Sequence, residues 1–221
     1  MSSPDNPKGQ RTYLFSTHLT FENDVADITD AQLWKMAHDA IGEMAADIEQ
    51  YGLREDKQGP RAMGIMAWGR EIIITSSQKG KISLFYSKDG QETKVFRSLQ
   101  ACSATWEKVH NTKNTTHRKK GQCVEVAAAH LFYKLNQGED ENLADHNPRV
   151  GVWTFQENGW EKAEPCGDEE VKWGCNLFVR EEGLVLMDLN IKPEDYDLNN
   201  IAGGLKGRQQ IQMCGDLRPL P

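Results

Sequence analysis

The sequence predicts an α/β protein: a mixed β-sheet with flanking helices. Three observations carry that prediction. A capping sequence near residue 29 opens an amphipathic helical stripe. Two apolar runs joined by a two-residue turn follow it. Further strand-like runs then alternate with helical segments. Strands separated by helices after an initial hairpin need crossover connections, which place helices on the sheet faces and mix the strand directions.

Each element has its own local reason. Residues 1–28 read as an irregular leader around the short apolar run Tyr13-Leu14-Phe15. Thr29 and Gln32 fit a capping box, and Leu33, Met36, Ala37, Ala40, Ile41, Met44 and Ile48 recur at helical spacing up to a stop at Gly52. Residues 62–68 and 71–77 read as a hairpin turned at Gly69-Arg70, its second strand carrying Ile72-Ile73-Ile74 as if buried on both faces. Residues 82–86 read as a further strand. A helix over 93–109 spaces Val95, Leu99, Cys102 and Trp106 along one side.

The segment 108–120, KVHNTKNTTHRKK, is a basic loop without a single acid. It leads into a strong, nearly all-round apolar helix over 122–134. An acidic loop over 138–145 precedes a strand over 149–155, then a helix over 174–180 stopped by Gly183, then a buried strand over 184–189. Residues 191–221 carry no pattern beyond Gly203-Gly204 and read as a C-terminal extension to a domain spanning 29–190.

Composition narrows the function classes. The chain has 221 residues, a formal charge of −7 and an apolar fraction of 38% to which 19 glycines add, enough for one domain with its own core. No run approaches the roughly 18–20 apolar residues of a membrane span. The polar start, MSSPDNPKGQ, shows no secretory signal, so an intracellular setting, cytoplasm or nucleus, is expected. Five widely spaced cysteines, Cys102, Cys123, Cys166, Cys175 and Cys214, make a poor disulfide framework and read as reduced thiols, three of them potential metal ligands. No disulfide-linked partner and no membrane partner is expected.

Cys123 and Glu125 stand at the start of the central helix, Cys166 follows Pro165, and Cys175 opens the next helix. Helix N-termini favour thiolates, and three cysteine sulfurs around zinc leave a fourth tetrahedral position open. A carboxyl one turn-position from a ligand can move protons without binding the metal. These residues, Cys123-Val124-Glu125 and Pro165-Cys166 with Cys175, resemble the zinc-dependent deaminase superfamily of cytidine deaminase-like proteins, in its nucleic-acid and toxin-type branch. The resemblance covers about residues 31–190 and rests on element order as well as the motif. It departs from the pattern in spacing: eight residues separate Cys166 from Cys175 where the family has two.

The resemblance implies a three-layer α/β/α arrangement, Zn2+ held by Cys123, Cys166 and Cys175, and Glu125 as general acid and base. The reaction it implies is hydrolytic deamination of a nucleobase, cytosine to uracil, by a hydroxide generated on the zinc. Three thiolates weaken zinc as a Lewis acid, so a compensating cation such as His130, Arg180 or a loop lysine is expected. Substrate contacts are expected from Asn111 or Asn114, from Lys113, Arg118, Lys119 and Lys120, and from base stacking on Trp106 or Trp173. Single-stranded DNA or RNA is the expected partner, with a free nucleoside or nucleotide as the alternative; Asp168, Glu169 and Glu170 oppose phosphate.

Other readings stay open. Cys123, alone, also fits a core thiol, and residues 108–120 a solvated loop. His110, His117 and His130 read as surface or core residues, Cys102 and Cys214 as core thiols, and Trp106 as helix packing. A deaminase-fold binding module with a structural zinc and a thiol enzyme using Cys123 with a distant histidine are the remaining classes.

Overall fold

The computed structural model describes residues 13–80, 83–86, 93–113, 115–136, 141–168 and 170–209. Among them, seven strands form one sheet: β1 (Ser16–Phe21), β2 (Ala62–Trp68), β3 (Glu71–Ser76), β4 (Arg149–Gln156), β5 (Gly159–Lys162), β6 (Val185–Leu186) and β7 (Leu205–Gln209). The order is β5-β4-β2-β3-β1-β7, with β6 sharing the outer edge of β4. Every pairing is antiparallel except β4 with β6, where Arg149 aligns with Val185 and Val150 with Leu186. The helices are α1 (Asp30–Gln50), the single turn α2 (Glu55–Gln58), α3 (Lys94–His110), α4 (Val124–Leu135) and α5 (Cys175–Glu181).

α1 starts where its sequence dictates. Thr29 Oγ1 accepts the Gln32 N–H at 3.2 Å and Gln32 Oε1 accepts the Thr29 N–H at 3.1 Å, a closed capping box. Its stripe of Leu33, Met36, Ala37, Ile41, Met44 and Ile48, joined by Trp34, is buried against one face of the sheet, with Ile65, Ile72, Ile74 and Trp153. The other face is covered by α3, α4 and α5, whose core includes Met66, Ile73 and Val150 from the strands. Ile72, Ile73 and Ile74 therefore bury side chains on both faces, as the unbroken run requires.

α4 sits unusually close to the sheet. A Cβ at Gly64 would lie 2.5 Å from Val124 Cγ1 and 2.6 Å from the Gly151 carbonyl oxygen. The missing side chain lets the first turn of α4 rest on β2, which fixes where Cys123 and Glu125 stand. Eight residues of that helix, Glu125 among them, are buried.

Several expectations change. Residues 16–21, read as part of a leader, form β1, and residues 205–209, read as part of an extension, form β7 at the sheet's edge. β7, LKGRQ, is polar and largely exposed, so pairing with β1, not its own propensity, makes it a strand. Residues 84–86 form a 3-10 turn instead of a strand; Lys81 and Ile82 lie outside the described residues. The strand expected over 184–189 is only β6, whose Val185 and Leu186 are exposed while Leu184 and Met187 are buried. β5 was not anticipated. It turns the chain back along β4 and delivers Pro165-Cys166 to the end of α4.

Candidate metal centre

Three separate chain segments meet at the N-terminus of α4. Cys123 is the N-cap of α4, Cys166 lies in the loop after β5, and Cys175 is the first residue of α5. The Cys123 and Cys166 sulfurs are 3.3 Å apart, and the Cys175 N–H donates to Cys166 Sγ at 3.5 Å. His117 completes the group: Nε2 lies 3.4 Å from Cys175 Sγ and 3.9 Å from Cys166 Sγ. All four donor atoms fall within 4.8 Å of one another, a soft sulfur-and-imidazole set that fits zinc.

The eight-residue spacer does not keep Cys175 away, because it closes on itself. Cys166 O accepts the Asn176 N–H at 3.0 Å, and Asp168 N–H donates to Lys172 O at 3.1 Å. Gly167, at φ +112°, and Gly174 allow the two sides of the loop to touch; a Cβ at Gly174 would lie 2.8 Å from Gly167 N. Asp168 Oδ1 also accepts the N–H groups of Glu170, Val171 and Lys172, which holds its carboxyl below the usual carboxylate range. Arg118 reaches its other oxygen at 3.0 Å. Of the three acids expected to repel phosphate, Asp168 is thus engaged within the loop, Glu170 is exposed, and Glu169 lies outside the described residues.

Electrostatics within the cluster are uneven. Hydrogen bonds from the Cys123 and Cys175 thiols hold Cys166 far below the usual thiol range, with His117 adding to the effect. Cys123 is raised by that same bond to Cys166, and Cys175 is raised by burial. Glu125, 3% exposed, has its carboxyl pushed up to about 7, first by burial and also by the Cys166 charge. Cys102 is a buried core thiol raised to about 12 by burial, as read from its place on α3; Cys214 lies outside the described residues. No disulfide joins the described cysteines, and among the described residues no helix is long and apolar enough to cross a membrane.

Cys123, Cys166 and Glu125 open onto a cavity of about 1000 Å³. Of the expected substrate contacts, Arg118, Lys119 and Lys120 line it. Lys113 and Asn111 are exposed and do not; Asn111 is the left-handed C-cap of α3, at φ +50°. Asn114 lies outside the described residues. Neither tryptophan can stack a base there. Trp106 is buried in the α3 core with His110 stacked on it at 3.7 Å. Trp173 is buried at 1% exposure, donates Nε1–H to Thr115 Oγ1 at 3.2 Å, and meets the His117 ring edge-on at 5.1 Å.

The aromatic that does reach the cavity is Phe155, at the end of β4, with the Arg61 guanidinium 4.1 Å above its ring. Arg61 and Lys79 add two cations to the rim. Sequence reasoning missed them because each sits at a strand end whose direction only the folded sheet defines. His117 was missed for a related reason: one histidine in a basic loop has no fixed spacing to Cys123. His130 and Arg180, offered as compensating cations, do not line the cavity; His130 packs on Phe85 at 5.0 Å. No family model, curated protein or solved structure matches the chain.

Proposed function

We propose that the protein is a zinc-dependent hydrolytic deaminase that converts cytosine to uracil in single-stranded nucleic acid. The observation that carries this reading is the convergence of three cysteine sulfurs, two of which, Cys123 and Cys166, line one cationic cavity together with the buried carboxyl of Glu125. The order of β2, β3, α4, β4, α5 and β6, with α4 and α5 on one face and β6 parallel to β4, supports the cytidine deaminase-like three-layer reading.

Cys123, Cys166 and Cys175 would hold the metal. Zinc bound there supplies a Lewis acid that acidifies water near neutral pH. Glu125 would take a proton from the attacking water and deliver it to the ring nitrogen, then assist the amine as it leaves. In balance, the C4–NH2 bond breaks, a C4=O bond forms and ammonia departs, with water supplying the oxygen. Burial raises this carboxyl above the usual carboxylate range, which favours its holding and returning a proton. Phe155 offers a ring face to the base, and Arg61, Lys79, Lys119 and Lys120 offer charge to phosphates.

One observation favours a second reading. His117 adds a fourth donor within 4.8 Å, and four protein ligands would make a closed structural zinc in a binding module. Incubating the zinc-loaded protein with cytosine-containing single-stranded DNA, single-stranded RNA and free cytidine separates the readings. Uracil is expected from a polymer, with turnover in Glu125→Gln reduced at least about 100-fold at unchanged zinc content. Product from cytidine alone would make this a free-nucleoside enzyme. No product from any of them would leave the structural-zinc module.

A further inference from the structure

His117 lies among the metal-ligand candidates, yet its hydrogen bonds assign its proton. Nδ1 lies 3.0 Å from the backbone nitrogen of Lys119 and 3.1 Å from that of Gly121, with both N–H groups directed at it. Two overlapping turns make this possible: Lys120 N–H donates to His117 O at 2.9 Å and Gln122 N–H to Lys119 O at 3.0 Å, with Lys120 and Gly121 at φ +53° and +67°. A ring nitrogen that accepts two N–H bonds carries its lone pair there. In neutral imidazole the hydrogen is then on Nε2, the atom facing the sulfurs of Cys175 and Cys166.

A metal-binding histidine needs the opposite arrangement. It ligates through a lone pair and donates its other N–H to a carbonyl, carboxylate or water. Around Nδ1 of His117 there are two donors. Turning the ring over would set a carbon against both amides and a carbon against the sulfurs. The ring is wholly buried and held edge-on by Trp173, so solvent does not offer a replacement acceptor.

We propose that His117 is a positioning residue and not a ligand: it donates Nε2–H to the Cys175 and Cys166 thiolates, leaving the metal three sulfurs and an open fourth position. This rests on the zinc reading above and not on which base is attacked. The placement agrees with it. Cys123, Cys166 and Glu125 line the cavity, whereas His117 and Cys175 do not, so the open position faces the substrate side. An N–H···S bond also draws charge from the thiolates, the compensation that three sulfurs around zinc require.

Zinc X-ray absorption on the loaded full chain, with nitrogen NMR of the histidine rings, tests this. The expected shell is three sulfurs near about 2.3 Å and one light atom, without imidazole outer-shell scattering. The His117 ring should show a protonated Nε2 and a bare Nδ1. In His117→Gln, which retains a donor, the sulfur shell should persist with zinc affinity lowered about 10- to 100-fold. Imidazole scattering in the native protein, or a protonated Nδ1, overturns the inference while leaving zinc in place. Absence of bound zinc overturns the zinc reading, and the inference falls with it. The native spectra decide even if the variant does not fold.

Discussion

His130 shows how a single side chain on the helix that carries Glu125 couples stability to pH. It lies in α4 against Phe85, and burial, helped by the Lys134 charge, lowers its pKa from 6.5 to about 4. The folded state therefore resists the proton that the unfolded chain accepts. Its contribution to stability is intact above about 6.5 and is lost as pH falls from about 6.5 to about 4. The loss should reach about 3 kcal/mol. Urea unfolding of the native protein and His130→Phe at pH 7.5, 6 and 4.5 checks this: the gap in midpoint between them should narrow or reverse toward acid. At the same scale, Glu125 was legible as a neighbour of the cluster from Cys123-Val124-Glu125, because its spacing to a candidate ligand is local. His117 was not, since its role depends on two backbone amides oriented by the turns at 117–122.

Elements whose signals are local were legible in the sequence. The Thr29–Gln32 box, the Gly69-Arg70 hairpin and the stop at Gly52 depend on neighbours a few residues apart, and each stands where expected. β1, β5 and β7 were not, because short strands with polar faces are made by their partners across long sequence distances. Nothing in the run 62–68 marks Gly64 as special, yet it sets the seat of α4. Gly64→Ala should cost about 1–3 kcal/mol by overpacking and should also reduce zinc content by shifting Cys123. Gly42 offers the contrast: it is exposed on α1 with nothing within 4 Å of an added Cβ. Gly42→Ala should stabilise the protein by about 0.5–1 kcal/mol without touching zinc. Thermal unfolding with metal analysis on both variants checks the pair.

At the scale of the whole molecule, the net charge of −7 coexists with a cavity rim carrying Arg61, Lys79, Arg118, Lys119 and Lys120. A single-stranded oligonucleotide bound along this rim should be strongly salt-dependent, the logarithm of affinity falling by about 0.7 per phosphate contact per decade of salt. Lys119→Ala and Lys120→Ala should each flatten that slope by about that amount, as measured by fluorescence anisotropy between 50 and 200 mM salt. Unchanged slopes would place the polymer elsewhere or remove it. Arg118→Ala should alter the slope least, since its charge is already paired with Asp168 at 3.0 Å.

The excursion between Cys166 and Cys175 has a consequence for how such a site is recognised and how it can vary. Its neck is fastened by backbone bonds beside the two sulfurs, while Val171 at its tip is 81% exposed. The chemistry measures the width of the neck, and the tip can lengthen at little thermodynamic penalty: doubling a loop adds only about 0.6 kcal/mol of closure entropy. Residue counting is therefore the wrong ruler for this centre. Chains with still longer tips could carry the same three sulfurs on the same neck.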